Sequence, residues 1–510
     1  MDTEERVKRA TEIFRKNGAT HEFRRLLREL REQDPVAFSV VEVYVHTERS
    51  QFSLAIKKGA RLLPRVGSAP YLVWRLLVSI GIAYRGMGEI STGEAYFQRA
   101  LEMSELMGDK KVISWVKFQI YVTKYFRAEY VQAYKGFLSY QKDPYAWKPH
   151  RADYYKGAYA LITGQTEEAL KLLDSFLENE EEGPFWLGGL ELRGLTLRIL
   201  GKFSEAMENF LESAEGYIGY DAAYAAFPVA KALELARLAR LQLPPKDLIR
   251  KSIALAKEGS WGEQAAAQEA EALLMEDDSD AAEGLCESAE SYMKACQNME
   301  ALFSGFTAAF LAWKTTSNVF LRAINLLAPI IPLYPGFKKD PLLGNYLSGV
   351  EILLKEISGP NEERRRIRAF LIGECKVLID GKEIPLEKWH NNKAIRAFIY
   401  FLLSPSHRIA HDHLFYLLWP RRSYNKRSRF LLYTAIDTIR RQLGKRELLT
   451  KRRDFYQLED VWTDLGEIEN LMRLADAARD PAERKEYLVK ARNLAKGDLL
   501  PEFLYDKHID

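Results

Sequence analysis

Residues Gly194–Phe210 read GLTLRILGKFSEAMENF, and two earlier stretches keep the same frame. Gly81–Phe97 reads GIAYRGMGEISTGEAYF and Gly157–Leu173 reads GAYALITGQTEEALKLL. In each, a second glycine (Gly88, Gly164, Gly201) follows the anchor by seven residues. A small residue stands at twelve (Gly93, Ala169, Ala206) and a bulky apolar one at sixteen (Phe97, Leu173, Phe210). This spacing predicts a helix, a glycine turn and a second helix whose small residue lets the two backbones cross closely. Looser copies are anchored at Val43, Tyr121, Ala232 and Ala270, giving steps of 38, 40, 36, 37, 38 and 38 residues. The Ala232 copy is the poorest, because its small-residue position falls on Pro244.

Such pairs resemble the tetratricopeptide repeat, in a longer form than the usual length of about 34 residues. A single pair cannot bury its own faces, so pairs stack into a continuous core with a groove along it. The resemblance implies a sensor or partner-binding domain over residues 1–357. The groove would take a peptide, a partner protein or a small-molecule effector; a plain spacer is the alternative. The aromatic stretches WKPHRADYYKGAY and GYIGYDAAYAAF fit packing between helices more readily than ligand contact.

Composition agrees with a folded protein of more than one domain: 510 residues, 47% hydrophobic and 28% charged. No apolar run of about 18 residues is present, so no membrane partner is expected. The N-terminus MDTEERVKRATEIFRKNG lacks the apolar core of a signal peptide. Cys286, Cys296 and Cys375 cannot build a disulfide framework, which points to the cytoplasm. The charge is uneven. Residues 361–460 hold 22 Lys+Arg against 12 Asp+Glu, a net of +10, so with +3 overall the remainder carries −7. That asymmetry suits a nucleic-acid-binding module joined to something else.

The pattern also changes there. A boundary is expected near Ser358–Asn361, followed by strand-like runs in IRAFLIGECKVLIDGKEIPL with Asp380-Gly381 as a hairpin turn. Three helical segments follow, at 391–403, 411–419 and 425–443, and then a hairpin over ELLTKRRDFYQLED. Sheet, three helices and hairpin are the plan of a winged helix-turn-helix. Trp389, Asn392–Ala394, His413–Pro420 (HLFYLLWP), Ile439–Gly444 (IRRQLG) and Phe455–Leu458 (FYQL) resemble the OmpR-type winged helix of SARP-like bacterial regulators. VWTDLGEIENLMRLA and ARNLAKGDLLPEFLYDKHI resemble the start of the bacterial transcriptional activator domain, BTAD. The expected architecture is therefore mainly α. A tetratricopeptide-like solenoid precedes a small α+β winged-helix domain at 361–460, and a short BTAD-like helical segment occupies 461–510. The resemblance implies transcription activation through RNA polymerase and binding to double-stranded DNA as a head-to-tail homodimer.

NKRSRFLLYTAIDTIRRQLG, Asn425–Gly444, is the expected recognition helix. Leu432, Ile436, Ile439 and Leu443 form one apolar stripe at helical period. Lys426, Arg427, Arg429, Phe430, Tyr433 and Thr434 are then placed to meet base edges in the major groove. Arg440 and Arg441 are expected on phosphate, which gives affinity without sequence information. Asp437 puts a carboxylate on the same side, unfavourable beside phosphate. Lys451, Arg452 and Arg453 sit at the hairpin tip for the adjacent minor groove, and Lys393 offers a further backbone contact. A structural helix with a solvated basic face, in a scaffold whose winged helix contacts protein, is the competing reading. No phosphate-binding loop of the G-x-x-x-x-G-K-[ST] kind occurs. No residues suggest catalysis, a cofactor or a metal, although His407, His411 and His413 lie close together.

Overall fold

The computed structural model describes residues 3–17, 20–66, 69–220, 223–295, 297–313, 317–327, 330–331, 334–343, 365–373, 375–385, 389, 391–404, 407–419, 429–451, 455–477 and 481–500. The expected boundary at Ser358–Asn361 and Cys296 lie outside them. Two compact units are present, Met1–Lys355 and Glu356–Asp510.

The first unit is a tetratricopeptide-like solenoid. It opens with Thr3–Asn17 (α1) and His21–Gln33 (α2). Pairs follow: Pro35–Glu48 (α3) with Phe52–Leu62 (α4), Pro70–Gly86 (α5) with Ile90–Met107 (α6), and Lys110–Phe126 (α7) with Tyr130–Gln141 (α8). Next come Arg151–Ile162 (α9) with Thr166–Asn179 (α10), and Pro184–Ile199 (α11) with Phe203–Tyr220 (α12). The last are Ala226–Ala239 (α13) with Lys246–Ala256 (α14), Trp261–Leu273 (α15) with Asp278–Lys294 (α16), and Asn298–Ala312 (α17) with Ser317–Leu327 (α18).

The seven sequence anchors all fall on the first helix of a pair, from α3 to α15. The frame has a direct steric cause. A Cβ at Gly81 would meet Phe97 Cε1 at 2.9 Å, one at Gly157 would meet Leu173 Cγ at 2.9 Å, and one at Gly194 would meet Phe210 Cε1 at 2.7 Å. The anchor and the residue sixteen positions on are therefore one contact, a bulky side chain seated in the space that a missing side chain leaves. Gly93 faces the Gly81 carbonyl, where its own Cβ would come within 2.8 Å of the oxygen. The turn glycines Gly88, Gly164 and Gly201 hold φ of 75°, 78° and 76°. The looser copies at Val43 and Tyr121 reach the same left-handed backbone without glycine, at Ser50 (φ 55°) and Ala128 (φ 59°), whereas in the Ala270 copy that position, Asp277, is extended (φ −75°) and caps the next helix. At the poorest copy, Arg240 (φ 55°) closes α13, and Pro244 sits in the connection before α14 instead of in a crossing.

The second unit begins with Ile367–Phe370 (β1), Lys376–Ile379 (β2) and Lys382–Glu383 (β3). Asp380 (φ 47°) and Gly381 (φ 79°) make the turn between β2 and β3. Asn392–Leu403 (α19) follows, its N–H groups at Lys393 and Ala394 capped by the Asn391 side chain. Then come Arg408–Ala410 (β4), His411–Leu418 (α20), Arg429–Leu443 (α21), Leu449–Lys451 (β5), Phe455–Leu458 (β6) and Val461–Thr463 (β7). Asp464–Ala477 (α22) and Pro481–Leu494 (α23) end the described elements. One sheet runs β3-β2-β1-β7 and the other β4-β6-β5. Phe398, Phe401, Leu414, Phe415, Leu432, Ile436, Ile439 and Leu458 belong to one buried core between them.

Two strands were not legible as strands. β4 pairs with β6, and β7 pairs in parallel with β1, so VWT completes the first sheet besides leading into α22. Asp464 accepts from the backbone N–H groups of Leu371 (2.7 Å) and Ile372 (3.0 Å). The Leu500 N–H donates to Leu371 O at 2.7 Å, and the Leu500 side chain is in the core. Residues after 460 are thus fastened to the strands at the start of the unit.

Arg240 is exposed, so Arg240→Gly relieves its left-handed strain without uncovering a core. It should raise unfolding stability by about 0.5–1 kcal/mol in denaturant titration, set by the αL cost less the added chain entropy. Gly194→Ala should lower it by roughly 1–3 kcal/mol through overpacking on Phe210.

Candidate functional site

The first candidate is the exposed side of α21 with the β5–β6 hairpin. Leu432, Ala435, Ile436, Ile439 and Leu443 are buried, which turns Phe430 (71% exposed), Tyr433 (44%) and Thr434 outward. Gly444 (φ 70°) ends the helix. Lys451 Nζ lies 5.0 Å from the centre of the Tyr433 ring, so the first hairpin strand and the helix present one cationic and aromatic surface. Arg429 is exposed at the start of α21. Lys426, Arg427, Arg452 and Arg453, like the expected cap Asn425, lie outside the described residues.

The remaining cations on this side have structural partners. Arg440 donates from Nε and Nη2 to Leu449 O at 3.0 and 2.9 Å, clamping α21 to β5. Arg441 pairs with Asp437 at 3.2 Å, an exposed i,i+4 contact that offsets the carboxylate. Lys393 donates to Leu418 O and stands 5.9 Å from the Trp419 ring, tying the start of α19 to the end of α20. Burial lowers the pKa of His407 and takes that of His413 to about 4, so both imidazoles are neutral at pH 7.

The second candidate is the inner face of the solenoid, lined by the first helices of the pairs. Its curvature is tight enough for α17 to reach α11: the Arg198 guanidinium lies 4.8 Å from the Phe303 ring. Arg198, fully buried, pairs with Glu234 of α13 at 2.7 Å and with Asp340 at 2.9 Å. Lys231 pairs with Glu269 of α15 at 2.9 Å, and Tyr292 Oη donates to Glu269 at 2.6 Å. Thr307 of α17 donates to Glu234.

Asp340 belongs to a strap of chain, residues 334–343, that lies along this face. Tyr334 Oη hydrogen-bonds Tyr130 Oη, and the Tyr334 and Phe337 rings stack at 5.7 Å. Phe337 packs on Phe303 at 4.7 Å, and Lys339 Nζ donates to Gly164 O at 2.6 Å. Gly336 is needed for this approach, since a Cβ there would fall 2.1 Å from Leu161 O. Beside the strap, Glu191 of α11 and Glu300 of α17 are within electrostatic reach of each other, as are Tyr154 and Tyr224. Burial, and then the Glu300 charge, raise the Glu191 pKa to about 8. The sequence hinted at this face only through its tyrosines. Tyr155 packs in a hydrophobic cluster with Phe118 and Phe137, as the helical spacing suggested, and Tyr154 packs against the same cluster.

No known family profile matches the chain, and no curated protein does. Among solved structures it is similar to a Rap protein complexed with competence and sporulation factor, at 14% identity and a TM-score of 0.48, over 69% of this chain and 99% of that one. It is similar to NprR in complex with its cognate peptide NprX, at 15% identity and a TM-score of 0.42, over 64% and 98%. It is also similar to yeast Tom70, at 12% identity and a TM-score of 0.21, over 96% and 95%. Among the described residues no helix is long and apolar enough to cross a membrane.

Between pH 4.5 and about 8 the folded chain keeps a proton on Glu191 that the unfolded chain releases. Its contribution to stability is complete below 4.5 and is lost as pH rises through 8. Glu191→Gln should therefore remove a decline of up to about 1.4 kcal/mol per pH unit in that window, read from denaturant midpoints at several pH values.

Proposed function

We propose that the chain is a ligand-responsive adaptor. Its repeats bind a peptide or partner protein on their inner face, and its second unit brings that signal to duplex DNA. The observation that carries the first half is the strap: the chain's own residues 334–343 already lie against the repeats through the Phe337–Phe303 ring contact, the buried Arg198–Asp340 ion pair and the hydrogen bond from Lys339 to Gly164 O. A surface that holds one peptide segment in this way has the chemistry to hold another. The solved Rap and NprR complexes contain, by name, a competence and sporulation factor and a cognate peptide.

The second half rests on α21. A helix anchored by an aliphatic stripe, with Arg429, Phe430, Tyr433 and Thr434 outward and Lys451 beside them, fits a major groove about 12 Å wide. The OmpR-type winged helix of SARP-like regulators remains the reading for this unit, and RNA polymerase its expected further partner. Arg429, Lys426 and Arg427 would read bases; Lys451, Arg452 and Arg453 would hold the adjacent backbone. Arg441 adds charge at the far end, while Arg440 and Lys393 act by shaping the unit. A scaffold that uses this unit for protein contact is favoured by one observation, the exposure of Phe430, Tyr433 and Tyr416.

Selection from random duplexes by the full chain separates the two. The regulator should enrich a sequence, with a log–log salt slope near −5 for about six phosphate contacts. Arg427→Ala with Arg429→Ala should abolish the enrichment, and Lys451→Ala with Arg452→Ala should weaken all duplexes alike. No enrichment, together with unchanged duplex binding in both double variants, leaves the scaffold.

A further inference from the structure

The strap has a spacing of its own. Residues 334–340 read YPGFKKD, and Pro335–Lys339 form a short 3-10 helix. Such a helix has three residues per turn, so side chains three apart lie on one side of it. Tyr334, Phe337 and Asp340 keep this interval, and all three are buried. Each meets a different element of the repeats. Tyr334 reaches Tyr130 at the start of α8, with ring centres 5.8 Å apart and a hydrogen bond between the hydroxyls. Phe337 packs on Phe303 of α17 at 4.7 Å, and Asp340 pairs with Arg198 of α11 at 2.9 Å. The last two contacts adjoin, since the Arg198 guanidinium lies 4.8 Å from the same Phe303 ring.

These are the contacts of a bound peptide: two rings in apolar seats, a carboxylate on a buried guanidinium, and Gly336 where the main chains come close. The fit is also incomplete. Asp340 Oδ1 takes the Leu342 N–H at 2.8 Å, so only Oδ2 faces Arg198 Nε. Glu234 takes Arg198 Nη1 at 2.7 Å, and Nη2 has no acceptor among the described residues. A carboxylate with both oxygens free would bridge Nε and Nη2 in the two-bond geometry that a guanidinium favours, which is stronger than a single contact. The strap offsets this through its tether, because a segment joined to its site acts at an effective concentration in the millimolar range. A modest fit therefore keeps the site filled until a better one arrives.

We infer that residues 334–340 are a resident pseudo-ligand. The peptide that the repeats take carries the same order, aromatic-x-x-aromatic-x-x-acid, and displaces the strap to bind. The inference rests on the reading of the repeats as a peptide site. It goes further in naming the pattern of the ligand and in making the strap autoinhibitory. Tyr130, Phe303 and Arg198 are the three seats. Arg198 sets the charge: when Asp340 leaves, a fully buried guanidinium loses one of its two carboxylates, and the incoming peptide has to replace it.

The probe is a capped, fluorescein-labelled peptide copying residues 332–343, measured by fluorescence anisotropy against the full chain. Phe337→Ala and Asp340→Asn, made separately in the protein, weaken the strap and leave its three seats intact. Each should bind the probe about ten-fold or more tighter than the unmodified chain does, equivalent to roughly 1.4 kcal/mol. Circular dichroism melts show whether each variant folds, and either one alone carries the comparison. The same exchanges made in the probe, or one residue inserted between its two aromatic residues, should weaken binding by about ten-fold or more. Equal affinity for variants and unmodified chain, or no binding of the probe to a folded variant, overturns the pseudo-ligand. A second measurement needs no variant: selection from a random dodecapeptide library by the unmodified full chain. Enrichment of aromatic-x-x-aromatic-x-x-acid supports the pattern. Enrichment of unrelated peptides overturns it while the peptide site stands. If neither library nor probe binds any form of the protein, the reading of the repeats as a peptide site falls as well.

Discussion

The constraint under everything else is how closely the two helices of a pair approach. Where Gly81, Gly157 and Gly194 receive Phe97, Leu173 and Phe210, the missing side chain is what lets the partner in. Close approach fixes the geometry of each pair, and repeated pairs give a solenoid. The pairs curve until α17 stands beside α11 and α13. Polar groups on five different first helices, from α9 to α17, then share one interior. None of them could meet if the crossings were looser.

That interior sets an electrostatic problem. Arg198 and Lys231 have lost their water, and such ions persist in a fold only when matched by partners at hydrogen-bond distance. Glu234, Asp340 and Glu269 supply the match. Asp340 reaches Arg198 only because the chain doubles back as a strap after α18. The strap is thus held by the same ion network that joins α11 to α13. A ligand that disturbed one would disturb the other.

In the second unit, one helix has to be both core and surface. The aliphatic side of α21 is buried with α19, and the opposite side is left to aromatic and cationic residues. Not every cation there is available to a ligand. Arg440 serves Leu449 O and Lys393 serves Leu418 O, because carbonyls at strand starts and helix ends need donors when they are covered. Counting positive charge along a sequence overstates a polyanion site for this reason.

The sequence by itself determined the repeat. Its anchors, its turn glycines and the aliphatic stripe of α21 are local patterns, written within about twenty residues and imposed by helical period and by sterics. It also determined the Asp380-Gly381 turn and the uneven charge. Tertiary structure alone decided that β7 lies beside β1, that residues 334–343 return to the solenoid, and that Glu234 meets both Arg198 and Thr307 across the stack. Those pairings join segments with no shared period. A glutamate in a helix reads the same whether it faces water or a buried arginine, and only the curvature of the stack makes the difference.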